Sequence, residues 1–371
     1  MEPIHDLHQL GQSLWYDNIQ RRMLENGEMA KLISRGDIRG VTSNPSIFHN
    51  AISKSQDYDT ALGPLAKAGL GAEDIFYQLA VADIRAAADL FAPLYQATNG
   101  GDGYVSLEVS PYLAHDTEKT VAEALRLWGL VQRPNLMVKI PATRAGIPAI
   151  RQAIAAGLNI NVTLIFSIER YRDVMEAFLA GLEQRLQSGG AVDRIASVAS
   201  FFVSRVDSKI DAQLQKIVQT GGEGSAQAAG LVGKAAIANA KLAYACFEEV
   251  FASQRVKNLR AQGARLQRPL WASTSTKNPA YRDVIYIEEL IGANTVNTVP
   301  PQTLDAFRDH GRVRLSLVEG VDACAGQLRD LAAVGISLDA VTQELEDEGV
   351  KSFSDAYTAL LATIEQRKAA F

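Results

Sequence analysis

Cysteine is nearly missing from this chain: Cys246 and Cys324 are the only two among 371 residues, and both fall in helix-like contexts. So sparse a set argues against a disulfide scaffold and fits a reducing compartment. Histidine is scarce as well. His5, His8, His49, His115 and His310 are scattered, and only the first two are neighbours, with no cysteine beside them. That spacing offers no metal-ligand set, so no metal is expected and all five read as solvated surface residues. Positive charge is not in excess, since the formal net charge is −5 with both signs mixed along the chain. Without a basic stripe, nucleic acid and anionic membranes are disfavoured as partners, whereas a phosphorylated small molecule needs only a local arginine. A run of eighteen apolar residues is lacking too, and the opening MEPIHDLHQLGQ has neither a basic n-region nor an apolar h-region. A cytoplasmic protein is therefore expected.

What is present is a chain 47% hydrophobic and 21% charged, the balance of a globular protein with a sizeable core. Short β-branched or apolar runs at 13–17, 38–46, 104–111, 135–143, 159–167, 195–207, 269–276 and 294–300 alternate with helix-period segments. Between the first two runs, RRMLENGEMAKLISRG reads as one helix closed by Gly36, and RAGIPAIRQAIAAG as a helix ending at Gly157. Eight runs, each apolar enough to be buried on both faces and separated by helices, are what an α/β (β/α)8 TIM barrel requires. A doubly wound open sheet calls for fewer strands and a glycine-rich first turn, which SLWYDNIQ does not supply. No linker is visible, so residues 1–371 are expected to form a single domain. Within it, about 208–268 reads as a helical insert with GGEGSAQAAG as a mobile loop or helix break. KSFSDAYTALLATIEQRKAAF reads as a C-terminal helix beyond the barrel.

The stretch NLMVKIPAT (135–143) places a lone cation, Lys139, at the end of an apolar strand. Such a lysine must snorkel to water, pair with a carboxylate, or be held for chemistry. Pro141 cannot donate to a sheet ladder, so the strand is expected to end near Lys139. In a barrel the reactive groups stand at the C-terminal strand ends, which here carry Asp17, Thr42 with Asn44, Glu108, Lys139, Asn161 with Thr163, Ser200 with Arg205, and Ser273 with Lys277. Each has a plainer reading. Asp17 could cap the next helix, Asn44 could be a turn residue before Pro45, and Asn161 with Thr163 could form a polar layer inside the barrel. Arg205 could be an exposed cation paired with Asp207. Glu108, between Leu107 and Val109, is harder to dismiss, because an inward carboxylate on a buried strand needs a partner. Taken together, one lysine, two carboxylates, amides, hydroxyls and an arginine at one rim meet the needs of Schiff-base carbonyl chemistry on a phosphorylated substrate.

In order along the chain, LWYDNI, GVTSNPSIF, YVSLEVSP, LMVKIPAT, NINVTLIFS, ASFFVSRVD and WASTSTKNP resemble the transaldolases, over seven of the barrel strands. The resemblance implies transfer of a dihydroxyacetone unit from a ketose phosphate, fructose 6-phosphate or sedoheptulose 7-phosphate, to an aldose phosphate such as erythrose 4-phosphate or glyceraldehyde 3-phosphate. It implies Lys139 as the Schiff-base lysine and Asp17 as the residue that deprotonates the C4 hydroxyl. Glu108 and Thr163 match the pair that positions a water for proton transfer, and Asn44 and Asn161 the amides that hold the dihydroxyacetone moiety. Ser200 and Arg205 match phosphate contacts, and Phe202 a wall residue. Where the family commonly has a second arginine after strand seven, this chain offers Ser273, Ser275 and Lys277, a point charge without the bidentate fork. The length resembles a longer bacterial subgroup. Three rivals share parts of the pattern: a fructose 6-phosphate or dihydroxyacetone aldolase, a pyridoxal-phosphate barrel enzyme, and a non-catalytic sugar-phosphate binder. The second lacks a phosphate-cradling glycine loop, the third has no use for two acids beside a lysine, and so no cofactor is expected.

Overall fold

Eight parallel strands close on themselves in chain order in the computed structural model, which describes residues 2–371. They are β1 (Gln12–Tyr16), β2 (Gly40–Val41), β3 (Tyr104–Glu108), β4 (Leu136–Pro141), β5 (Ile160–Ile165), β6 (Ser197–Phe202), β7 (Gln267–Ala272) and β8 (Thr295–Val299). Pairing of Gln12–Tyr16 with Thr295–Val299 closes the ring. Almost every strand residue is buried, because one face fills the barrel and the other meets the surrounding helices. The expected (β/α)8 architecture is therefore the one observed.

Register sets which side chains share a level inside the barrel. Glu108 pairs with Lys139, Lys139 with Asn161, and Pro141 with Thr163, so these residues look inward from adjacent strands at the same end. Contrary to expectation, β4 continues through Pro141. The N–H of Val109 donates to the Lys139 carbonyl and that of Ala142 to the Thr163 carbonyl. Odd positions of β4 thus face β3, which has ended by the level of Pro141, and the missing donor leaves nothing unpaired.

Other expectations need correction. The 21–36 segment is two helices, Arg21–Glu25 and Glu28–Ser34, because Gly27 takes the left-handed conformation at φ 84°. The second run is a strand only over Gly40–Val41, and Asn44 then caps a new helix, Pro45–Ser53. The sixth run stops being a strand at Phe202, and Ser204–Thr220 is helical, so Arg205 sits in a helix's first turn rather than at a strand end. In the 208–268 segment only GGEG separates helices where a longer break was expected, since Ser225–Leu231 is itself helical. Helices Ala235–Phe251 and Gln254–Ala261 complete it.

The C-terminal helix spans Leu338–Lys368, beginning well before the expected start, and packs over the strand ends beside Leu164 and Lys139. Gly349 permits that seat: a Cβ there would come within 2.9 Å of the Leu164 side chain on β5. Tyr357 donates to Glu73 at 2.8 Å, Glu346 pairs with Arg170 at 3.3 Å, and Arg367 pairs with Asp59. The histidines are not all solvated either. His8 is half-buried, accepts a hydrogen bond from the Leu14 N–H, and is lowered to about 4 by burial and by Arg39; His49 is half-buried too. Among the described residues, no helix is long and apolar enough to cross a membrane.

Candidate active site

A cavity of about 270 Å³ opens at the C-terminal ends of the strands. Asp17, Asn44, Lys139 and Thr163 line it, and so do Ser200, Arg205, Ser273 and Lys277. With Thr42, nine of the eleven strand-end residues singled out from sequence thus meet at one opening. The other two stand behind it. Glu108 backs Lys139, with a carboxylate oxygen 3.3 Å from Nζ. Asn161 is fully enclosed: its amide donates to Ser106 Oγ at 3.0 Å and accepts from Ser200 Oγ at 2.7 Å. A larger cleft of about 360 Å³ lies to one side, among Arg144, Arg170 and Glu346. None of the eleven residues lines it, and Arg170 there already pairs with Glu346 and Asp173, so the smaller cavity is the candidate site.

Lys139 is 5% exposed. Its ammonium is held by Glu108, by the Ser43 carbonyl at 3.1 Å, and by the ring of Phe353, whose centroid lies 5.5 Å from Nζ. The snorkelling reading therefore fails, since the side chain points into the barrel rather than out to bulk water. Burial pushes the Glu108 carboxyl up to about 7, against the opposing pull of Lys139. A carboxyl poised there can both give and take a proton near neutrality. The hydroxyl of Thr163 is buried without a hydrogen-bond partner, while the Glu108 oxygen nearest to Lys139 is engaged by the ammonium alone. A buried hydroxyl left free at this rim is suited to a small polar molecule or a reacting oxygen.

Asp17 does not cap a helix; the following helix, Arg21–Glu25, has Gln20 at its N-cap. Its carboxylate accepts from Thr42 Oγ at 2.6 Å, and Thr42 meets Thr298 Oγ at 2.6 Å. Burial raises the Asp17 pKa, opposed by the Lys139 charge, the Thr42 hydrogen bond and Lys277. Asn44 serves in two ways, because its side chain accepts from the Ile47 N–H at 3.0 Å while also lining the cavity.

On the far side stand two cations. Burial lowers the pKa of Arg205, and it lowers that of Lys277 with further help from the Arg205 charge itself. Among the described residues neither forms an ion pair; Arg205 stacks on Phe202 with 5.5 Å to the ring centroid, and Lys277 donates to Ser275 Oγ at 2.6 Å. The expected partner of Arg205, Asp207, is taken by the Tyr286 hydroxyl and the Ala236 N–H, because two helical steps turn it to the opposite side. Helix Ser204–Thr220 begins without a side-chain cap. A half-buried arginine, an exposed lysine, serine hydroxyls and a helix N-terminus form a site for an anion with several oxygens.

With this geometry, comparison with known proteins is decisive. The family model described as transaldolase/fructose-6-phosphate aldolase matches residues 14–364. The chain belongs to that family. A protein named transaldolase from Saccharopolyspora erythraea is 53% identical over 362 residues, covering 97% of this chain and 96% of its own. Another so named, from Thermobifida fusca, is 50% identical over 369 residues and covers 99% of both chains. The match spans all eight strands and reaches into the C-terminal helix that roofs the transaldolase-type cavity.

Ile47, Ala272, Thr274, Thr298, Pro300 and Phe353 also line the cavity and escaped the reading of the sequence. Thr298 had a signal, since it is a polar residue at the C-terminal end of β8, where a barrel places its reactive groups. Phe353 had none. It is one of several apolar residues on a long amphipathic helix, and only its packing brings it to Lys139.

Proposed function

We propose that this chain is a transaldolase, moving a dihydroxyacetone unit from fructose 6-phosphate or sedoheptulose 7-phosphate to an aldose phosphate acceptor, erythrose 4-phosphate or glyceraldehyde 3-phosphate, in the pentose phosphate pathway. The observation that carries the reading is the shared cavity, with the Lys139–Glu108 pair at its floor, Asp17 on one wall and the Arg205 and Lys277 cations on the other. The ketose enters with its phosphate between Arg205, Lys277, Ser200 and Ser273. Lys139 attacks the C2 carbonyl as the neutral amine, and Glu108 is the nearby group able to hold the displaced proton. Glu108 and Thr163 position the water through which protons move as the carbinolamine dehydrates to the imine. Asp17 then takes the proton from the C4 hydroxyl, the C3–C4 bond breaks, and the aldose phosphate departs. The three-carbon enamine stays on Lys139, held by Asn44 and, from beneath, by Asn161. It adds to the acceptor aldehyde, and the same steps run in reverse. Such an enzyme needs no cofactor and works in the cytoplasm, where Cys246 and Cys324, both free and buried, stay reduced.

The second reading is an aldolase of the same family, which releases free dihydroxyacetone. A coupled assay separates the two: fructose 6-phosphate with erythrose 4-phosphate is expected to turn over, and omission of erythrose 4-phosphate to stop it. Continued turnover without acceptor would establish the aldolase instead.

Arg205→Ala is expected to raise KM for fructose 6-phosphate by about 10- to 100-fold, the scale of one or two charge-assisted hydrogen bonds. Trapping of unphosphorylated dihydroxyacetone should change little. Equal losses on both substrates would assign Arg205 a purely structural role.

A further inference from the structure

We infer that Phe353 is a specificity-determining residue, which keeps water from the carbon nucleophile on Lys139 so that it meets an acceptor aldehyde rather than a proton. The inference rests on the proposed Schiff-base function and extends it to a helix lying outside the barrel strands. Phe353 is 5% exposed, lines the same cavity as Asp17 and Arg205, and stands over the Lys139 amine with its ring centroid 5.5 Å from Nζ.

The ring is held there by the way the C-terminal helix is seated. Gly349, Phe353 and Tyr357 follow one another at four-residue spacing and form one buried stripe facing the barrel. At its start, Gly349 has no Cβ, so the helix comes down against Leu164 on β5. At its end, Tyr357 donates to Glu73 and packs edge-on against Phe76, with ring centroids 5.6 Å apart. Between these two fixed points Phe353 cannot lift from the amine without breaking one of them. An apolar ring in that place offers a hydrogen bond to nothing, while an ammonium or iminium nitrogen below it is favoured by the ring face.

After C3–C4 cleavage, the enamine carbon on Lys139 has two electrophiles available. In transfer, it forms a C–C bond to the acceptor aldehyde carbon, and the aldehyde oxygen takes the proton that Asp17 holds. In release, it forms a C–H bond with a proton drawn from water, leaving hydroxide, which regains a proton from Asp17. A second water then adds its oxygen to the imine carbon, and the C–N bond breaks to give dihydroxyacetone and the free Lys139 amine. Imine hydrolysis takes one water in both routes; only release also needs a water beside the enamine carbon as the proton source, at the position that the Phe353 ring covers. Removing the ring therefore favours release over transfer.

The test compares parent, Phe353→Ala and Phe353→Leu proteins in two rates: erythrose 4-phosphate-dependent transfer from fructose 6-phosphate, and dihydroxyacetone release from fructose 6-phosphate alone. The ratio of release to transfer is expected to rise by about tenfold in Phe353→Ala and by a smaller factor in Phe353→Leu, which keeps part of the apolar cover. Borohydride should still attach the three-carbon unit to Lys139 in both. Two rates that fall together, with the ratio unchanged, would mean that Phe353 only supports the helix, and the inference would be lost. Should Phe353→Ala not fold, the ratio in Phe353→Leu decides by the same rule. A parent protein that traps no sugar on Lys139 would overturn the proposed function itself, whereas normal transfer with an unmoved ratio in the variants rejects only the role of Phe353.

Discussion

Lys139→Met is expected to lower kcat/KM by roughly 10⁶-fold, the scale of deleting a covalent nucleophile. Borohydride with fructose 6-phosphate should add a three-carbon mass to the parent protein at Lys139 and none to the variant. A label on any other lysine, in either protein, would remove Lys139 from the mechanism. Folding should survive, and the reason lies in Glu108. Methionine fills the space but takes away the charge that opposes the burial of the Glu108 carboxyl, which already stands at about 7 beside Lys139. In the variant that carboxyl stays protonated and neutral at pH 7 instead of remaining a buried ion without a partner, a state that costs about 3–5 kcal/mol. The sign of the resulting pH dependence follows directly. A carboxyl whose folded pKa exceeds its unfolded value binds more protons in the folded state, so its contribution is full below the unfolded value and is lost as pH rises through the folded one. The Tm of Lys139→Met should therefore fall between pH 5 and pH 8 more steeply than that of the parent. A Tm that rises over this range would contradict the assignment of Glu108 as the buried partner.

For Asp17→Asn the expected result is an intact imine and arrested cleavage. Asparagine keeps the shape and can still accept from Thr42 Oγ, which holds the side chain at 2.6 Å, so the cavity and Lys139 are left in place. What it cannot do is take the C4 hydroxyl proton. The loss should be about 10² to 10⁴ in the cleavage step, the usual worth of general base catalysis. Borohydride then traps a different species: the full six-carbon sugar phosphate on Lys139 where the parent yields a three-carbon adduct. An Asp17→Asn protein that accumulates the three-carbon adduct at the parental rate would show that another group is the base. The raised pKa of Asp17, caused first by burial and opposed by Lys139 and Thr42, suits a base that must also return its proton to the acceptor oxygen.

Much of this site was legible before any coordinates, and the reason is cost. A cation closing an apolar strand and a carboxylate inside YVSLEVSP are expensive placements, so each pointed to a partner, and they proved to be partners of one another at 3.3 Å. The boundaries read less well. Strand and helix-start residues are similar in polarity across SFFVSRVD, and only the capless start at Ser204 put Arg205 on a helix and turned Asp207 away from it. Gly27 looked like a residue tolerated within a helix, and its φ of 84° broke it.

Local pattern alone determined the eight strands, their order, and the inward direction of Glu108, because the apolar runs and a carboxylate between two apolar neighbours are properties of short segments. Closure of the ring, the meeting of Arg205 with Lys277 from separate loops, and the descent of Phe353 onto the lysine were decided only by the tertiary structure. Those contacts join residues far apart in the chain, and their energy comes from packing between whole elements, a quantity that no local window of sequence contains.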